Sequence, residues 1–445
     1  MDFVVKPRRG TVARARGKQA IAALRGRLKV IVPLCLLVLA GLVVTSRYFA
    51  PEASLGMTVS PPSKSCINNV KSTKVLAVQK DNALASQWSS YANTGVGWTG
   101  GDSVHAYSLP SGSILWTFAD SFLGPVRSNG SRPYSAPLVH NLFVTQNGGD
   151  FHLVVNGTPG HPMPLVVPPN QRNFYLALSG IVIGNQFQEF LMEIHRHRNG
   201  GFHWQQAATV IATFSLPGLH LQSMEPVNQP NRSIQWGSYV MRQGRYLYVY
   251  GATATAVKNK KMYVARTLST TLAGPWEYFD GDGWTRNPHE VMGVVNGVSE
   301  QYSVTPLDGV YILITSSVGA TFSSNVNVFA GCSPVGPFNL SSSFVASYNV
   351  GPLGQSLYHT SKSWVYEAMD QVALNKGAQF LVTYNRNSLD YWNLFDNVNL
   401  YRPGYLWVTI GVGFKRHVPV KTGAVVSPPT AQPAPSHLPI KAATG

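Results

Sequence analysis

The chain has 445 residues, of which 44% are hydrophobic and only 12% charged, with 41 Gly, 30 Pro, 20 Tyr, 19 Phe and 10 Trp. That length allows one large domain or two ordinary ones, and turn formers mixed with aromatics favour many short strands over helices. The formal charge of +16 is uneven: nine Lys/Arg lie between Lys6 and Lys29 against Asp2 alone, and the remainder carries +8 without a basic stripe interleaved with aromatics, which argues against a nucleic-acid partner.

Residues 1–29 read as a basic cytoplasmic arm. Val30 to Thr45, VIVPLCLLVLAGLVVT, is apolar throughout. It predicts a transmembrane signal-anchor over residues 30–46, although it is shorter than the ~20 residues a spanning helix prefers. The basic flank sets the orientation: a single pass in the cell membrane, N-terminus cytoplasmic, the rest extracytoplasmic. The alternative is a long signal peptide and secretion after cleavage, but no clean small-x-small site follows. Residues 47–84 read as an irregular linker and lead-in, 85–415 as the folded domain, and 416–445, rich in Pro and Ala, as a disordered tail. Of three cysteines, Cys35 falls in the apolar segment. Cys66 and Cys332 could pair in an oxidising compartment, the alternative being two free buried thiols. No Cys/His cluster has metal-ligand spacing, so neither a metal nor another cofactor is expected.

The domain carries a repeat. LPSGSILWTFADS (109–121), IVIGNQFQEFLMEI (181–194), MRQGRYLYVYGAT (241–253), PLDGVYILITSSV (306–318) and LNKGAQFLVTYNRNS (374–388) each place a turn glycine before an aromatic or aliphatic strand. These are β-hairpins about Gly112, Gly184, Gly244, Gly309 and Gly377. Two of them are followed by Gly-Pro-aromatic, in LAGPWEYF (272–279) and PVGPFNL (334–340), which turns the chain into an outer strand. Five four-stranded units predict an all-β, five-bladed β-propeller. A β-sandwich would space its turns every 8–12 residues.

One constellation carries chemistry. Asp102 and Asp120 bracket the first hairpin symmetrically about Ser111, so an antiparallel pairing places them face to face at its open end. Two carboxyls that close split their proton affinities, as acid/base cleavage requires. A one-residue slip would send them to opposite faces. The rim position that holds Asp120 in the first unit holds Asn385 in the last and, one residue later, Glu193 in the second; Glu300 and Glu367 precede the fourth and fifth hairpins. The expected catalytic set is Asp102, Asp120, Glu193 and Glu300. Trp98, Trp116, Tyr134, Trp236, Tyr302, Tyr358 and Trp392 stand near strand ends, with His105 and His359 on the same rim. Aromatic faces there either stack on sugar or fill the core. The expected substrate contacts are Trp236, Gln301, Tyr302, His359 and Asn385.

The segment WTGGDSVHAYSLPSGSILWTFADSFLGPV resembles a signature of secreted actinobacterial five-bladed propellers, domain of unknown function 5005. The resemblance continues through SRPYSAPLVHNLFV, FLMEIHR, IQWGSYV, GPWEYFDGDGW, SEQYSVTPLDGVYILIT, LVTYNRNS and DNVNLYRP, over about residues 95–410. That family looks related to domain of unknown function 4185 endo-arabinanases and other glycoside-hydrolase-like propellers. The resemblance implies Asp102 and Asp120 as the catalytic pair. The chain departs from the pattern at SEQYS, where relatives tend to carry an acid and this chain has Gln301. The expectation is a membrane-anchored glycoside-hydrolase-like protein acting on a cell-envelope polysaccharide such as arabinan. The alternative is a non-catalytic carbohydrate-binding or envelope-assembly propeller.

Overall fold

The computed structural model describes residues 70–94, 97–196, 204–227, 233–254, 260–317, 324–346 and 363–414. The basic arm, the apolar segment at 30–46, Cys35, Cys66, Tyr358, His359 and the tail lie outside them. Among the described residues no helix is long and apolar enough to cross a membrane.

Antiparallel strands dominate. The turn glycines of the five hairpins all have positive φ, 85° at Gly112, 58° at Gly184, 57° at Gly244, 81° at Gly309 and 60° at Gly377, a conformation open to glycine at little cost. Each hairpin is the start of a sheet. The first runs His105–Ser108, Ile114–Phe118, Leu142–Asn147, Asp150–Val154; the second Asn173–Ile183, Gln186–Arg196, Trp204–Ser215, Leu221–Pro226. The third begins Ile234–Gln243, Tyr246–Thr253, Lys260–Leu268, Glu277–Phe279; the fourth is Ser303–Leu307, Val310–Ser316, Asn325–Gly331, Phe338–Val345. Both Gly-Pro turns lead into the fourth strand of their sheets, as expected.

The fifth sheet is closed from far away. Ser363–Asp370, Gln379–Ser388 and Gly404–Phe414 take their outer neighbour from Val70–Lys80. Over its described part, residues 70–84, this corrects the reading of 47–84 as irregular. Thr73 is buried while Lys74, Leu76 and Val78 are exposed, so the strand is covered on one side by a partner some 330 residues away in sequence, and its own pattern is weak. The following helix, Asn82–Ala92, was also not expected. Asp81 caps it, its Oδ1 accepting from Leu84 N at 3.0 Å. Leu84, Ala85, Trp88 and Ala92 share one face, which packs on Trp98, Trp116 and Phe118.

The apolar core is divided among the sheet interfaces. Separate clusters join the first sheet to the second, the second to the third, the third to the fourth and the fourth to the fifth; another packs Leu381 and Tyr405 of the fifth against Trp116 and Val144 of the first. The sheets therefore close into a ring, a β-propeller arrangement in which inner strands face one axis.

Candidate active site

Asp102 and Asp120 meet where the first hairpin continues past its sheet. His105 pairs with Thr117, and Gly101 pairs with Ser121, in a small sheet of Trp98–Gly101, Ser121–Leu123 and Leu138–Val139. One register spans both pairings and sets Asp102 opposite Asp120. The Asp102 amide donates to the Asp120 carbonyl at 3.1 Å, and the Ala119 amide to the Asp102 carbonyl at 3.0 Å. Both side chains are half-buried.

Their surroundings differ. The hydroxyls of Tyr366 and Tyr401 both donate to Asp102 Oδ2, at 2.7 and 2.8 Å. Burial, with the charge of Asp102, holds both phenols well above their ordinary range, so they act as donors. Burial first, and then the charge of Asp120, pushes the Asp102 carboxyl up to about 7; the two phenols work against that rise. Asp120 Oδ1 lies 2.7 Å from His140 Nδ1, whose ring lies 4.1 Å from that of Phe174. At neutral pH Asp102 is thus arranged to hold or release a proton, and Asp120 to accept a hydrogen bond.

A third carboxyl, Glu367, stands beside Asp102. Burial first, then the charges of Asp102 and Glu300, hold Glu367 well above the usual carboxylate range. It sits in the strand Ser363–Asp370, where the pairing with Gln379–Ser388 slips between Tyr366 and Met369. Successive residues of a regular strand point to opposite faces. The bulge breaks that rule, so Tyr366 reaches Asp102 while the Glu367 carboxyl faces Ser103, the residue after Asp102. Glu367 (φ 49°) and Ser103 (φ 51°) both adopt the left-handed conformation.

Beneath them runs a buried chain of polar bonds. His105 Nε2 meets Gln301 Oε1 at 2.6 Å, Gln301 Nε2 donates to Ser103 Oγ at 2.7 Å, and Ser103 Oγ donates to Glu367 Oε2 at 3.4 Å. Burial lowers His105 to about 4, so its ring is neutral. Asn385 Nδ2 also donates to Glu367 Oε2, at 2.8 Å.

The expected residues separate accordingly. Asp102, Asp120, Glu300 and Asn385 come together. Glu193 is held by its own neighbours: Asn173 Nδ2 donates to it, and Asn173 Oδ1 lies 2.7 Å from His195 Nδ1. Trp236 is 3% exposed and packs on Trp276 and Tyr278; it is core because the second and third sheets meet there, not a sugar platform. Tyr302 is fully buried, its hydroxyl donating to the Gly251 carbonyl at 2.9 Å. Gln301 is buried beneath the acids rather than open to substrate. Trp98 and Trp116 are likewise core. His359 lies outside the described residues.

Sequence reasoning did not assign roles to Tyr366, Tyr401, His140 or Glu367. The last stands ten residues before its turn glycine, Gly377, as Asp102 does before Gly112, and that equivalence was the available signal. Partly exposed aromatics also surround the acids. Trp364 stacks on Tyr366 at 4.3 Å; Tyr391, close enough for the charge of Asp120 to act on its hydroxyl, neighbours Trp392, and Trp392 meets Tyr134 edge-on at 5.2 Å. Surface clefts of about 530 and about 350 Å³ lie against the helix Asn82–Ala92 and hold none of the clustered acids. Among the described residues no group of three or more His, Cys, Asp or Glu is placed to hold a metal ion.

Fold and site together define a β-propeller with paired carboxyls at one end of its first hairpin. The chain belongs to the DUF5005 family, a domain of unknown function, whose model matches residues 85–410. No curated protein matches its sequence. Among solved structures it is similar to a proposed hydrolase from Bacteroides ovatus, at 21% identity over 74% of this chain and 90% of that one, with a TM-score of 0.60. A more distant likeness is to an α-L-arabinofuranosidase from Podospora anserina, solved with cellotriose, at 10% identity over 77% of this chain and 97% of that one, TM-score 0.41.

Proposed function

We propose that the five sheets are the blades of a five-bladed propeller that hydrolyses a neutral polysaccharide of the cell envelope, arabinan first among candidates, held at the membrane by residues 30–46. The observation that carries this reading is the opposition of Asp102 and Asp120, one carboxyl raised to about 7 and fixed by two phenols, the other fixed by a histidine. Pairs whose environments diverge in this way suit an acid and its counterpart. Asp102 delivers a proton to the leaving-group oxygen. Asp120 acts at the opposite face of the sugar, as nucleophile if the carboxyls are about 5–5.5 Å apart or as base on water if about 6.5–9.5 Å. Trp364, Tyr391, Trp392 and Tyr134 offer apolar faces for sugar rings in place of Trp236.

The test is product release from arabinan, arabinogalactan and other envelope glycans by the full chain. Hydrolysis by the wild type and its loss in Asp102→Asn and Asp120→Asn support the reading. Binding without product release, unaffected by Asp102→Asn, favours instead a non-catalytic binding propeller. Gln301 and the low acid count motivate that alternative; Gln301 itself is buried beneath the site.

A further inference from the structure

Glu367 is the least expected acid of the cluster, and four observations converge on it. It is the fifth-sheet counterpart of Asp102, ten residues before the turn glycine, and Asn385 is the counterpart of Asp120, eight residues after it. The first hairpin thus ends in two carboxyls and the last in a carboxyl and an amide, with Asn385 Nδ2 on Glu367 Oε2. A bulge and a left-handed φ aim the side chain at Ser103 and Asp102 instead of leaving it to alternate with Tyr366. Non-glycine residues in that conformation persist where the surroundings hold them, and they cluster at functional sites. Finally, both bonds to the carboxyl, from Ser103 Oγ and Asn385 Nδ2, end on Oε2. The buried chain from His105 through Gln301 and Ser103 points its donors the same way. With Oε2 occupied by two donors, a proton on this carboxyl belongs on Oε1.

We propose that Glu367 is a positioning carboxyl of the Asp102 site, presenting a protonated Oε1 to a substrate oxygen beside the bond that Asp102 cleaves. This rests on the hydrolase reading for its purpose but not for its chemistry. Among the described residues the charges acting on Glu367 are those of Asp102 and Glu300, both acidic; Ser103 and Asn385, which donate to it, are neutral, and the adjacent Tyr366 phenol is held well above its ordinary range and so stays neutral. Nothing cationic in this set stabilises its anion. Two like charges this close do not both form readily, so ionisation of Asp102 strengthens the hold of Glu367 on its proton.

The experiment is residue-resolved labelling of the full chain with a water-soluble carbodiimide and glycine ethyl ester between pH 5 and 9, read by peptide mass spectrometry, since the reagent attacks protonated carboxyls. The expected result is labelling of Glu367 that persists at pH 8, where Glu290 is unlabelled. In Asp102→Asn the pH of half-labelling falls by about one unit or more, because the neighbouring charge is gone. Absence of labelling at every pH, its loss by pH 6, or an unchanged profile in Asp102→Asn overturns the proposal. On a glycan that is turned over, Glu367→Ala is expected to raise KM roughly tenfold, the loss of one hydrogen bond. Glu367→Gln, which keeps a neutral donor, restores KM to within about threefold. Equal KM in wild type and Glu367→Ala also overturns it. Labelling needs no turnover: retained labelling without any hydrolysis sinks the hydrolase reading while leaving the proton on Glu367.

Discussion

Asp102 holds one proton in balance between opposing influences. Burial and Asp120 raise its affinity, and the Tyr366 and Tyr401 hydroxyls lower it by favouring the anion. Removing either phenol removes a donor to the charged form, so Tyr366→Phe and Tyr401→Phe are each expected to move the alkaline limb of kcat/KM upward from about pH 7. A downward or absent shift in both would contradict this. The same carboxyl costs stability when ionised. Its pKa is about 7 in the folded chain against an ordinary 3.8, so below pH 4 both states are protonated and there is no penalty. The penalty grows between pH 4 and 7 and is constant above. Asp102→Asn is therefore expected to stabilise the fold by about 1–2 kcal/mol at pH 8 and not at pH 4, solvent in the half-open site keeping the effect below that of full burial. Denaturant midpoints at the two pH values check it. Asp102 and Asp120 were legible because their spacing about Ser111 is symmetric, and symmetry survives any regular hairpin. Trp236 and Tyr302 were misread because an aromatic at a strand end looks the same in sequence whether it faces the rim or the neighbouring sheet. Tyr401, nearly 300 residues from Asp102, carries no local signal of its partner.

Hairpins were the most legible elements, since the turn glycines and the strands after them are local. Bulges were not. The slip between Tyr366 and Met369 moves one residue to another face, and nothing in SWVYEAMD breaks the pattern visibly. Close approaches between elements are equally silent. The strand Trp98–Gly101 lies against the Tyr401 backbone: a Cβ on Gly100 would collide with the Tyr401 carbonyl oxygen and crowd Arg132 Nη2, 3.1 Å away. Gly100→Ala is expected to push the Tyr401 segment off Asp102, costing about 1–3 kcal/mol as overpacking does, and to lower kcat more than Tyr401→Phe does. A melting temperature and kcat equal to wild type would show that the segment yields without disturbing the site.

The ring as a whole depends on one long-range closure. Val70–Lys80 completes the fifth sheet and covers the edge of Gly404–Phe414, and unpaired edges both destabilise and aggregate. Deleting residues 1–80 is expected to lower the melting temperature by more than about 5 °C, where deletion of 1–60 leaves it within about 2 °C. Cys332 is disulfide-bonded, its partner lying outside the described residues, which replaces the alternative of a free thiol there. The repeat made the ring legible, while the source of its last strand was hidden by sequence distance.

Hydrolysis by paired carboxyls is tested most directly by the rate of sugar release from envelope arabinan by the full chain and by Asp120→Asn at pH 7. The expected result is release by the wild type, reduced on the order of 10²–10⁴-fold in the variant. Equal release by the two proteins would contradict it.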